Sequence, residues 1–432
     1  MTLRISRRGS VGVSAGIVLA FGLGGTASAQ QVTITYSTDN APDRVAISEA
    51  QIAAFEAANP DINVEYETRP GGAEGDNLVK TRLATGEMTD VFFYNSGSLF
   101  QALNPAQNLV DLTNEPWQAN VLDSFKPTVT APDGTVRGAP SGTAMGGGIL
   151  YNKPIYAELG LSIPKTWAEF MANNQKTKDA GKVPVIQTFG ATWTSQLFVL
   201  GDFFNVQAAV PNFAADYTAN KAKYATTPAA MAGFEHGEEV FKAGFLNEDF
   251  AAATFEEGVV KVATGEGAHY PMLTFATATI SQLAPENLND VGFFAIPGND
   301  AASNGLTVWM PAGVYIPQST DNLEAAKKFV AFLASTDGCA AEVAAVGANG
   351  PFLVEGCEIP ETVAPAVADM LPYFQQEGTT APALEFVSPI KGPALEQITV
   401  EVGSGIRAAA DAAALYDEDV RKQAQQLGLP GW

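Results

Sequence analysis

Val32-Thr-Ile-Thr-Tyr36 alternates branched apolar and polar residues, the two-residue period of a strand. From Arg44 to Ala58 the spacing changes, with Val45, Ile52 and Phe55 near one face, and Asn59-Pro60 stops the helix this predicts. Alternation returns over 62–67, a helix is predicted over 74–85, and Asp90-Val-Phe-Phe-Tyr94 is a compact apolar strand. The order β-α-β-α-β, with connections long enough for right-handed crossovers, predicts a mostly parallel sheet with helices on its faces.

Near 135–150 the pattern breaks into two short strands, 136–139 and 146–151, with Gly146-Gly147-Gly148 leading the second as flexible or crowded backbone. Thr166 and Glu169 make a capping box opening a helix at Pro164-Lys-Thr-Trp-Ala-Glu-Phe170. A second α/β stretch follows, with strands at 183–187, 268–272 and 291–296 and helices near 194–204, 228–243 and 254–264. Residues 309–316 read as a return to the first unit. Asp321 is the expected cap of the next helix, whose stripe is Ala325, Phe329, Phe332 and Leu333. Three further helical segments are expected near 361–375, 391–404 and 406–427. No linker separates the two units, so the chain is expected to weave between them, with a first lobe of 30–143 and 305–345 and a second of 144–304 and 346–432. Ligands of parallel sheets bind at the loops on the strands' carboxyl ends, which places a cleft at the crossings.

The first 29 residues read as a secretory leader: Arg4, Arg7 and Arg8, an apolar run from Val11 to about Leu23, then Ala27-Ser28-Ala29 as a small-x-small exit. Arg7-Arg8 leaves a twin-arginine route open beside the general one. No cysteine stands at the cleavage point to take a lipid, and no second run of apolar residues is long enough to span a bilayer. The expected location is therefore the periplasm or the extracellular space, in soluble form. Formal charge is −23, and about −26 without the leader, which repels phosphate backbones and anionic lipid and argues against nucleic acid as a partner. The same charge favours a monomer. Cys339 and Cys357 are the two cysteines, and oxidising surroundings predict a disulfide between them. With no histidine in the intervening loop they make a poor metal site, and no cofactor or metal is expected.

Catalytic chemistry finds little support. The two histidines are His236, expected on a solvated helix face among glutamates, and His269, expected to be structural. Neither sits in a nucleophile motif. A carboxylate pair for glycoside cleavage stays open simply because there are 47 acidic residues. Binding reads better. Sugar rings stack on aromatic faces and their hydroxyls need groups that donate and accept. Candidates at loop tips are Asp39 and Asn40 after the first strand, Asn95 and Ser96 after the third, Trp193, Phe275 and Trp309. Core packing is the alternative for each aromatic, and turn capping for Asp39 and Asn95. Trp117 and Trp167 read as structural.

Four stretches carry a family likeness: Thr89-Asp-Val-Phe-Phe-Tyr94; Leu150-Tyr-Asn-Lys-Pro154 running to Pro164-Lys-Thr-Trp-Ala-Glu-Phe170; Gly265-Glu-Gly-Ala-His-Tyr270; and Ala325-Ala-Lys-Lys-Phe-Val-Ala-Phe-Leu-Ala-Ser335. In these the chain resembles the extracellular solute-binding proteins of ABC importers, above all the sugar-binding family that includes maltose-binding proteins. The resemblance implies two α/β lobes that close over a sugar or oligosaccharide by a hinge and then dock on an ABC permease, without chemistry. By position it puts Phe275 where many members carry a stacking tryptophan, and Asp39 and Asn95 in loops that often hold hydroxyls. Thr89 stands where the family usually has proline, and Ser37 where a tryptophan is usual nearby. A polyol, polyamine or oligopeptide as solute, and a secreted carbohydrate-active enzyme, are the competing readings.

Overall fold

A computed structural model describes residues 31–432; the leader expected over 1–29 lies outside the described residues. The strands form two sheets. In the first, β1 (Val32–Asp39) pairs in parallel with β2 (Ile62–Arg69) and β3 (Val91–Tyr94). Beyond β3 the order continues through β10 (Ala312–Tyr315) to β4 (Gly138–Ser141), both pairings of β10 being antiparallel. The second sheet is built around β5 (Met145–Asn152), flanked by β7 (Gly267–Leu273) and β9 (Leu306–Trp309), with β6 (Val183–Val185) and β11 (Thr380–Pro382) outside them and β8 (Val291–Ala295) also on β5. This is the expected two-lobed α/β architecture.

Local chemistry explains the elements. The first helix, Pro42–Ala58, has Pro42 in its first turn, where no amide donor is missed, and Asp43 beside its positive end. Helix Gly72–Thr85 ends on Gly86 at φ 75°, a left-handed stop that glycine adopts without strain. Thr166 and Glu169 form the predicted capping box of helix Trp167–Asp179, and Thr254 and Glu257 form another at Phe255–Thr264. The triple glycine of β5 is crowded rather than loose. A Cβ on Gly147 would lie 2.1 Å from the Trp309 ring, and one on Gly146 2.9 Å from Met370. The sheet thus buries bulky rings against bare backbone.

The chain passes between sheets at 142–144, joining β4 to β5, and at 310–311, joining β9 to β10. After the helix Thr336–Val346 it stays with the first sheet for a while. Leu122 N–H donates to Leu353 O (2.9 Å), Glu355 N–H to Asn120 O (2.7 Å) and Ala144 N–H to Pro351 O (2.7 Å). The disulfide Cys339–Cys357, with Cα atoms 6.0 Å apart, ties that helix to the end of this segment. Helix Pro365–Gln375 then sets Met370 against β5.

Three expectations are corrected. Helix Leu323–Leu333 is entered from Asn322, not capped by Asp321; Thr320 Oγ1 accepts the Asn322 N–H (3.1 Å) and so organises the turn first. The helix expected over 194–204 is a 3₁₀ turn, Thr192–Gln196, and two short helices, Leu197–Gly201 and Phe203–Ala209. His236 is buried, stacked 3.6 Å from the Trp167 ring, because the apolar face of its helix outweighs the glutamates beside it. Among the described residues no single helix is long and apolar enough to cross a membrane.

Candidate binding cleft

The carboxyl ends of β1, β2 and β3 face the second lobe, and the sequence-predicted polar residues of the first lobe stand there. Asp39 Oδ1 accepts the Ala41 N–H (3.1 Å), so this carboxylate closes its own turn, and Asn40 is exposed. At the end of β3, Asn95 is exposed and its carbonyl accepts the Tyr315 hydroxyl (3.0 Å). Ser96 is buried and donates to Pro311 O (2.8 Å), which pins β3 to the second passage between lobes. Ser96 therefore shapes the cleft from behind.

Across the gap, Trp193 and Phe275 come together with Phe255. The ring centres lie 5.3 Å (Trp193–Phe255), 5.4 Å (Phe255–Phe275) and 6.1 Å (Trp193–Phe275) apart, with Trp193 and Phe275 half-buried. Trp309 stands apart from this group. It is 7% exposed, its ring lies over Gly147, and its Nε1 donates to Glu385 Oε1 (2.8 Å). Its surroundings are those of a core residue.

Several residues that sequence reasoning missed lie at or beside the boundary between the lobes. Asp43 is buried and accepts a hydrogen bond from Thr279 Oγ1 of the other lobe (2.9 Å), a direct link between the two bodies. Burial pushes its carboxyl up from the usual range, while the neighbouring Arg44 opposes this. The Arg44 guanidinium lies over the Phe93 ring, 4.1 Å from its centre. Gly72 faces Trp193 closely enough that a Cβ there would be 3.5 Å from the indole. Glu385 is paired with Lys391 (3.3 Å), both nearly covered. Behind these, Tyr94 is buried and Arg69 donates to Phe93 O (2.8 Å). Asp76 is raised by desolvation, with Lys80 and then Lys391 pulling it back. Asp43 follows Pro42 in a helix start, and nothing in its local pattern distinguishes a cleft residue from an ordinary first-turn acid.

The arrangement offers flat apolar rings on one side and hydrogen-bonding groups on the other. Among the described residues no group of three or more His, Cys, Asp or Glu side chains is placed to hold a metal ion. Both histidines are sealed: His269 bonds Tyr156 Oη (2.7 Å) and Pro184 O (2.9 Å), and burial holds both rings down at about 3, as neutral imidazoles.

The sequence profile described as bacterial extracellular solute-binding protein matches residues 38–338. This chain belongs to that family. As a solute-binding protein it is 26% identical over 292 residues to the multiple sugar-binding protein of Streptococcus mutans, covering 65% of this chain and 66% of that relative, about two thirds of its length. Its fold is similar to that of a chitin oligosaccharide binding protein (TM-score 0.79, 20% identity, 92% of this chain and 100% of that one). It also matches the fold of the solute-binding protein RafE in complex with raffinose (TM-score 0.74, 21% identity, 92% and 100%). The solute-binding family is non-catalytic.

Proposed function

We propose that this chain is the sugar receptor of an ABC importer, working outside the cytoplasm. It captures a sugar or oligosaccharide in the gap between its lobes and hands it, unaltered, to the membrane permease. The observation that carries this reading is the cluster of half-buried Trp193 and Phe275 on the buried Phe255 ring, with Trp193 facing Gly72 of the first lobe. Rings so placed match the C–H face of a pyranose, while Asp39, Asn40 and Asn95 reach its hydroxyls. The names of the relatives, which speak of sugars, chitin oligosaccharide and raffinose, support the solute class. A solute that touches both lobes favours the closed form by its differential affinity, and the permease reads that form.

The test is titration of the mature protein with raffinose, chitin oligosaccharides and common mono- and disaccharides, following tryptophan fluorescence and analysing the sugar afterwards. Saturable change with the sugar recovered intact is expected; cleavage of any glycoside sinks the reading. Trp193→Ala is expected to weaken binding about tenfold, the scale of one stacked ring with its burial. Trp309→Ala instead is expected to cost about 3–5 kcal/mol of folding stability, as loss of a core aromatic does.

A further inference from the structure

The second lobe rests on the first at a glycine. Gly97 follows β3 at φ +70°, its N–H held by Thr128 O (2.7 Å). A Cβ placed there would lie 2.4 Å from the backbone oxygen of Glu385 and 2.8 Å from the Phe386 ring. Both of those atoms belong to the second lobe, in the short helix Leu384–Val387 that follows β11. The backbone oxygen is the contact that decides, since the half-buried Phe386 ring can turn aside. Ala383 N–H is bonded to Val308 O (2.8 Å), and the Glu385 carboxylate takes the Trp309 indole N–H and faces Lys391. A carbonyl so held would have to retreat by more than half an ångström before any side chain fitted at 97.

We propose that Gly97 is the stop on which the lobes close, and that its missing side chain sets how deeply the gap can shut. The inference rests on the hinge reading above and adds the residue that limits the motion. Position 97 carries two separable demands. The backbone, at φ +70° and ψ −137°, lies outside the left-handed helical basin that asparagine shares, in a region where any side chain is strained. The empty space opposite Glu385 is met by glycine alone. Gly347 gives the comparison: its φ is 79° and its ψ 176°, also in the extended region reserved for glycine, and nothing lies within 4 Å of a Cβ built on it.

Closure can be read without a sugar. Neither native cysteine is free, so Asp43→Cys and Thr279→Cys, replacing the pair that bonds across the gap, add the reactive thiols. A short bifunctional thiol reagent, dibromobimane, then joins them in the full mature chain only when the lobes meet. Adding Gly97→Asn is expected to slow cross-linking at least fivefold, and adding Gly347→Asn, which strains the same kind of backbone but meets no neighbour, to leave the rate unchanged. Gly97→Ala, carrying the Cβ alone, is expected to fall between. If either Gly97 variant keeps the parent's circular dichroism and cross-links at the parent's rate, the stop is overturned. If raffinose and the other sugars fail to bind the unsubstituted protein, the receptor reading falls while the cross-linking result still decides the stop.

Discussion

Asp202 has its carboxyl sealed within the second lobe, with Asn205 Nδ2 donating to it (2.7 Å). Burial pushes its pKa up from 3.8 to about 8, and burial likewise raises Glu342 from 4.5 to about 7, with Arg44 opposing. Because both folded values lie above the unfolded ones, each contribution is whole below about pH 4 and is lost as pH rises through 7 to 8. The two histidines act oppositely: held neutral, they contribute above pH 6.5 and lose this as pH falls toward 3. Urea unfolding is therefore expected to show stability falling from pH 6.5 to 8.5. Asp202→Asn, which removes the ionisation and keeps the shape, should flatten that fall. An equally steep fall in the variant would place the loss elsewhere.

Asn152 shows how one side chain can set an element. It ends β5, accepts the Ile155 N–H (3.0 Å) to cap helix Lys153–Leu159, and donates to Val262 O and Ala263 O at the end of another helix. Asn152→Ala is expected to cost about 2–3 kcal/mol, a lost cap together with buried carbonyls left unpaired, measured by denaturant titration. At this scale the sequence was legible where period was strong. The β-α-β-α-β start and the Thr166–Glu169 box came through because alternation and capping are local. The helix Thr336–Val346 escaped, since Gly338 and Cys339 interrupt it and its alanines carry no stripe. The 192–209 stretch misled because its apolar residues are buried on all sides, and Gly201, packed on Ile296, divides it. Within the cleft, Trp193 and Phe275 were readable as aromatics near loop tips. Gly72, Gly97, Thr279 and Glu385 were not, because their importance lies in which distant backbone they meet.

The whole molecule is held by connections far apart in sequence, and the disulfide is one of them. Cys339 and Cys357 close a loop of 18 residues just before the chain leaves for the second lobe. Replacing both by serine is expected to lower stability by about 3 kcal/mol on the chain-entropy model, seen as a lower urea midpoint. An unchanged midpoint would mean that the β-bridged contacts of 351–355 suffice to hold the segment. A different feature bears on the order in which the two lobes fold. β10, residues 312–315, lies between β3 and β4 in the first sheet, so the amino-terminal half cannot complete its own fold while it is being made. The first sheet closes only when a strand encoded three quarters of the way along has been made, a long-range pairing that delays this lobe until most of the chain exists.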